Sequence, residues 1–314
     1  MKRADLTMAG ALVFAFALSL GSTLLSLGHA RRVSREPGKH AATLRDAAGN
    51  TVTLRPWKRF ASTSILADRL LLDLAEPERI VGLSDHGFSG SSVAFRYGRR
   101  AVISVDVEIE SIVSLAPDVL LVNNFLDVRK AQRLRGAGII VFELGPMQGV
   151  DRLLQQIGLV AALVGAPERG DAYARGLLAR LRGVAADIPV LQRKRAIYLG
   201  AYGSKFYGGT RGSSYYDVLT YGGLIDAAAQ RYSGWPSYTN EDLLALAPEV
   251  VVTNSRQGAL LCSSPTLKML PACLPTGRVV ELDPGLLVDP GPAVLDSAIA
   301  VREAVYGALK EAKP

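Results

Sequence analysis

From residue 59 onward, short unbroken apolar runs alternate with longer stretches whose apolar positions recur every three or four residues. The runs RFASTSI (59–65), RIVGLS (79–84), VLLV (119–122), GIIVFEL (138–144), RAIYLGAY (195–202), VVVT (250–253) and GRVVELD (277–283) are short and β-branched. That pattern predicts strands covered on both faces, as in parallel sheets. The intervening segments 67–75, 127–136, 150–164, 215–224 and 293–309 predict helices. Upstream, TLRDAAGNTVTL (43–54) alternates around Gly49-Asn50 and predicts a hairpin. Residues 167–188 place Leu177, Leu178 and Leu181 on one stripe and predict a long connecting helix, weakened slightly by Gly176 and Gly183.

One pattern occurs twice. Residues 110–123 (ESIVSLAPDVLLVN) and 241–254 (EDLLALAPEVVVTN) share Glu, Leu, Ala, Pro, Val and Asn at matching offsets. Each copy reads as a short helix opened by an acid, a proline stop, and a buried strand. Two copies so far apart imply two similar lobes rather than a tandem array. The expected fold is therefore α/β: two Rossmann-like lobes with mostly parallel sheets, joined by one long helix, with a ligand cleft between them. The lobes are expected over 43–166 and 189–314, with the helix over 167–188 and a polar linker over 31–42. Ligands of parallel sheets lie outside the carboxyl ends of the strands.

Composition narrows the class. The 314 residues are 49% hydrophobic and 21% charged, as for a globular chain, and the net charge is +7. No Lys/Arg run carries interleaved aromatics, so nucleic acid is not an expected partner. Lys2 and Arg3 precede an apolar stretch from Met8 to Leu27, and Gly28-His29-Ala30 offers a small-residue cleavage site. Residues 1–30 thus read as a signal peptide, or as an anchor if left uncut. No cysteine follows this stretch to carry a lipid. The rest of the chain is expected in the periplasm or at the outer face of the cytoplasmic membrane. The two cysteines, Cys262 and Cys273, are expected to pair in such an oxidising compartment, since alone they supply too few ligands for zinc.

Catalytic signatures are missing. There is no G-x-S-x-G, no G-x-x-x-x-G-K-[ST], no H-E-x-x-H, and no G-x-G-x-x-G after the first strand. His86 is the one histidine beyond the linker, and its neighbour Asp85 is poorly placed for a triad. An enzyme is not expected, nor is a resident cofactor. A single histidine cannot build a site for bare zinc or manganese, so no metal site is expected either. His86 fits a hydrogen-bonded loop position or an axial ligand to a haem or corrinoid.

The hairpin DAAGNTVTL, the strand-loop RFASTS, IVGLSD, the paired E-x-x-x-x-L-A-P-[DE]-V segments, GGLIDAA (222–228) and the late strand GRVVELD occur in an order that resembles one family. It is that of the periplasmic substrate-binding proteins of iron-siderophore, haem and vitamin B12 ABC importers, of the type with a helical linker. The resemblance covers residues 43–309. It implies a monomer that captures a metal chelate and hands it to an importer permease, with a ferric siderophore first among cargoes and cobalamin or haem as alternatives. A permease-less, membrane-anchored chelate carrier is a further alternative.

The resemblance also implies that Glu110 and Glu241 dock the permease. Each equally suits a plain helix start, where a carboxylate meets the positive end of the helix dipole. For the cleft, strand ends nominate Ser64, His86, Arg96, Tyr97 and Asn124 in the first lobe. In the second they nominate Tyr202, Tyr207, Arg211, Trp235 and Tyr238. Aromatics supply flat apolar area and cations pair with anionic groups. Helix capping competes for the serines, Ser214 with Asp217 resembles a capping box, and Trp235 equally suits a packed lobe edge.

Overall fold

The computed structural model describes residues 42–85, 94–98, 100–104, 109–123, 128–202, 205–254, 258–283, 286 and 291–308. The expected signal segment, the linker up to residue 41, His86 and Asn124 lie outside them.

β1 (Thr43–Arg45) and β2 (Thr51–Thr53) form the hairpin. Its turn donates Ala47 N–H to Glu143 O, which covers a sheet edge. The first sheet is β3 (Phe60–Ser62), β4 (Ile80–Ser84), β5 (Ala101–Ile103), β6 (Val119–Val122) and β7 (Ile140–Glu143), in the order β5-β4-β3-β6-β7. Every pairing is parallel. β6 is buried along its whole length, as its unbroken VLLV run requires. The crossovers include α1 (Ile65–Leu74), α2 (Ile109–Ser114) and α3 (Val128–Gly136). The order reverses between β3 and β6, and a crevice opens at such a switch point, outside the carboxyl ends.

α4 (Val150–Val164) leads into α5 (Pro167–Val184). Gly170 lets these two helices touch, because a Cβ there would fall 2.2 Å from that of Ala161. α5 ends at Val184, short of the expected residue 188; Pro189 disfavours helical geometry at Ile188, and Asp187 turns to pair with buried Arg302 at 2.8 Å.

The second sheet runs β11-β9-β8-β12-β13, with β10 also on β8. β8 (Arg195–Tyr202), β10 (Ile225–Asp226), β12 (Val250–Asn254) and β13 (Arg278–Leu282) pair in parallel. β9 (Lys205–Tyr207) and β11 (Ser237–Tyr238) add antiparallel pairings. The helices here are α6 (Ser214–Tyr221), α7 (Asn240–Leu246), α8 (Gly258–Ser263) and α9 (Val294–Tyr306). One core cluster runs from Phe60 and Leu70 through Leu153, Leu177 and Leu181 to Val218 and Val301, so the linking helices join both lobes in a shared interior.

The two repeat copies build matching corners. Ala116 and Ala247 both adopt φ 44°, the left-handed geometry that ends a helix before proline. Arg59 donates to Leu115 O and Ala116 O, and Arg195 to Leu246 O. Asp118 accepts from the Arg59 N–H and Glu249 from the Arg195 N–H. Cys262 and Cys273 are disulfide-bonded across the α8 region.

Candidate functional site

At the carboxyl ends of β3 and β4 the polar residues close on one another. Ser64 is the N-cap of α1, accepting from Ala67 N–H, and is buried. Asp68, fully buried on the same helix, accepts from Ser84 N–H and Oγ and from Tyr97 Oη at 3.0 Å. Burial raises the Asp68 carboxyl to about 7, although the bonds from Ser84, Ser62 and Tyr97 pull it down. Arg96 bonds Asp73 at 2.6 Å and Leu72 O at 2.9 Å, while Arg100 serves the carbonyls of Arg96, Tyr97 and Pro77.

Three first-lobe candidates therefore have other work. Ser64 caps a helix, Tyr97 is 1% exposed with its hydroxyl committed, and Arg96 ties the turn Ala94–Tyr97 to α1. A buried hydroxyl or cation needs an internal partner, and here each has found one. Thr63, Asp85 and Asn123 stay partly open at these strand ends.

The second lobe assembles its candidates. Gly208 N–H donates to Pro236 O, Thr210 N–H to Gly234 O, and Gly234 N–H to Arg211 O. These rungs extend the β9–β11 ladder and bring Tyr207, Arg211 and Trp235 into one neighbourhood. Asp226 fixes the loop from beneath: it accepts from Thr210 Oγ1 at 2.6 Å and from Ala228 N–H at 2.8 Å. Arg211 is exposed, and Trp235 is 55% exposed despite its size.

Behind Trp235 stand two tyrosines that the sequence did not nominate. Tyr215 meets the indole edge to face at 4.8 Å, and Tyr198 stacks on Tyr215 at 4.0 Å. Tyr198 Oη reaches Asn254, the last residue of β12, at 3.3 Å. This chain of contacts puts the exposed indole at the carboxyl end of the second sheet. Tyr198 sits inside a strand, where a large residue reads as core, and Tyr215 reads as helix; a Tyr-Tyr pair after a glycine-rich loop was the available signal. Tyr238 belongs to the core of the second lobe. It is 5% exposed, packed edge-on against Tyr232, and faces the core. The side chain of Tyr202 lies outside the described residues.

The carboxyl-end loops of the two sheets meet. Gly149, six residues past β7, adopts φ 92°, and a Cβ there would fall 2.6 Å from Asp217 Oδ2. Val150 N–H, at the start of α4, donates to Asp217 at 2.6 Å. The expected capping box of Ser214 and Asp217 is thus replaced: Asp217 caps a helix of the other lobe. Burial raises its carboxyl to about 6, opposed by the Val150 bond. Trp235 and Arg211 are exposed in the second lobe, and Thr63, Asp85 and Asn123 lie half-buried at strand ends of the first. Among the described residues no three His, Cys, Asp or Glu converge to hold a metal ion.

Comparison with known proteins gives this geometry a context. Over 275 residues the chain is 23% identical to a cobalamin-binding protein of Halobacterium salinarum, covering 83% of this chain and 73% of that one. It is 20% identical over 271 residues to an uncharacterized ABC transporter substrate-binding lipoprotein of Bacillus subtilis, covering 84% and 85%. A periplasmic heme-binding protein of Pseudomonas aeruginosa superposes with a TM-score of 0.65 at 23% identity, covering 81% and 94%. Residues 96–286 match the family described as periplasmic binding protein, and with most of the chain inside that match, the protein belongs to this family.

Proposed function

We propose that the chain captures an organic metal chelate in the crevice between its lobes and delivers it to an ABC importer, with cobalamin or a related corrinoid as cargo. The observation that carries this reading is the exposed Trp235, backed by Tyr215 and Tyr198 and flanked by Arg211. A rigid aromatic wall gives flat apolar contact to a macrocycle, and the neighbouring cation suits peripheral anionic groups. The cobalamin-binding relative supports the choice of cargo. Among the described first-lobe cations, Arg96 and Arg100 donate to internal carbonyls and Asp73, which gives a ferric siderophore less support than the aromatic wall gives a macrocycle. Haem is the second reading, supported by the heme-binding structural neighbour.

Titration of the purified protein with cyanocobalamin, haemin and a ferric catecholate tests the assignment. Cyanocobalamin should quench the fluorescence of Trp235; Trp57, the other tryptophan, is buried in the first lobe. Trp235→Ala should weaken that binding by about tenfold or more, the scale of a lost aromatic anchor. Saturable binding of a different chelate alone would move the cargo, and binding of none would end the reading.

Glu110 and Glu241 are both exposed on their repeat helices. We assign them to the permease, where paired charges set orientation and encounter rate. Glu110→Lys with Glu241→Lys should abolish uptake and leave cargo binding intact. Loss of cargo binding instead would contradict the docking role.

A further inference from the structure

The repeat helices expose more than their acids. On α2, Ile112 is buried while Val113 is 38% exposed; on α7, Leu243 is buried while Leu244 is 38% exposed. Val113 and Leu244 occupy the same position of the two repeat copies, three residues after Glu110 and Glu241 respectively. Residues three apart share a helix face, so each lobe presents one carboxylate with one large apolar side chain a turn away. Among the described residues, no other pair of exposed large hydrophobics is related by the offset of the repeat. Neither side chain is packed against a core cluster, and neither acid has an ion pair among the described residues.

Both helices also begin at equivalent ends of their sheets. α2 follows β5, so its start lies at the carboxyl end of a parallel sheet. β11 is antiparallel to β9, which is antiparallel to β8; the chain therefore leaves β11 at the carboxyl end of β8 and enters α7 there. Each acid-apolar pair sits on the cargo side of its own lobe.

We propose that Val113 and Leu244 are specificity-determining contacts of the docking surface, each seating in an apolar socket of the permease beside the cation that receives Glu110 or Glu241. This rests on the docking reading of the two acids. An isolated exposed Leu or Val carries no message, but a large apolar side chain exposed at one repeat position in both lobes fits a partner that offers a similar receptor twice. The acids set complementarity to a cationic partner on a chain whose net charge is +7, and the apolar groups supply the desolvated contact that slows release.

The test uses spheroplasts of the source cell deleted for this gene, with purified full chain added back and uptake of labelled cyanocobalamin and haemin followed. Val113→Ser with Leu244→Ser should raise the amount of chain needed for half-maximal uptake by about tenfold or more, with cargo binding and thermal stability unchanged. Val113→Leu with Leu244→Met should behave as the parent. If the serine variant supports normal uptake while Glu110→Lys with Glu241→Lys does not, the apolar contacts are wrong and the acids stand. If the charge reversal also leaves uptake unchanged, both ideas fall. Loss of cargo binding in the serine variant would place these residues at the cargo and overturn the proposal.

Discussion

Buried carboxylates set the character of this protein at the residue scale. Ser84 N–H, Ser84 Oγ and Tyr97 Oη donate to Asp68, yet desolvation by burial outweighs them and lifts its carboxyl to about 7. Asp217 is raised to about 6 by the same cause. Both carboxyls bind protons more readily folded than unfolded, so stability is greatest below the unfolded value near 3.8 and declines as pH rises towards 7. Each group contributes a slope of at most about 1.4 kcal/mol per pH unit. Denaturant unfolding between pH 4.5 and 8 should show this decline, and Asp68→Asn, which mimics the protonated acid, should flatten much of it. Parallel profiles for the two proteins would show that Asp68 ionises freely. At the same scale, Ser64, Tyr97 and Tyr238 are buried and Arg96 is held by Asp73, so each of these nominated residues has internal contacts.

At the scale of elements, the duplicated corner is the unit of construction. Its acid, its proline and its strand were legible because they recur in one sequence frame. The arginine that holds each corner was not, because Arg59 and Arg195 stand 136 residues apart while the repeat is offset by 131. Only strand pairing, Phe60 with Val119 and Ala196 with Val250, brings each arginine to its helix end. Both corners carry alanine at φ 44°, where a Cβ is disfavoured by about 1 kcal/mol and glycine is not. Ala247→Gly should accordingly stabilise the fold by about 0.5–1 kcal/mol in chemical denaturation, against the usual loss for Ala to Gly in a helix. The Cys262–Cys273 bond closes a short loop, and its removal by paired alanines should cost about 3 kcal/mol. A midpoint unchanged by reduction would show that the loop is held by Leu261, Leu267 and Leu270 alone.

For the whole molecule, two sheets are welded through α4, α5, α6 and α9 into a shared core, and the Asp217–Val150 bond adds a second tie between the start of α4 and α6. Asp217→Ala should speed hydrogen exchange at the Val150 amide about tenfold or more while leaving Asp68 and its partners protected. Equal exchange in both proteins would mean that the tie contributes nothing to lobe geometry.

Sequence by itself determined the class: unbroken apolar runs demand covered parallel strands, and a motif repeated across the chain demands two lobes of one design. Tertiary structure alone decided which polar side chains remain for a ligand. Hydrogen-bond satisfaction depends on partners distant in the chain, such as Asp68 for Tyr97, Asp73 for Arg96 and Asp217 for Val150. The aromatic wall has the same origin: Tyr198, Tyr215 and Trp235 come from three separate segments and become one surface only when the strands pair.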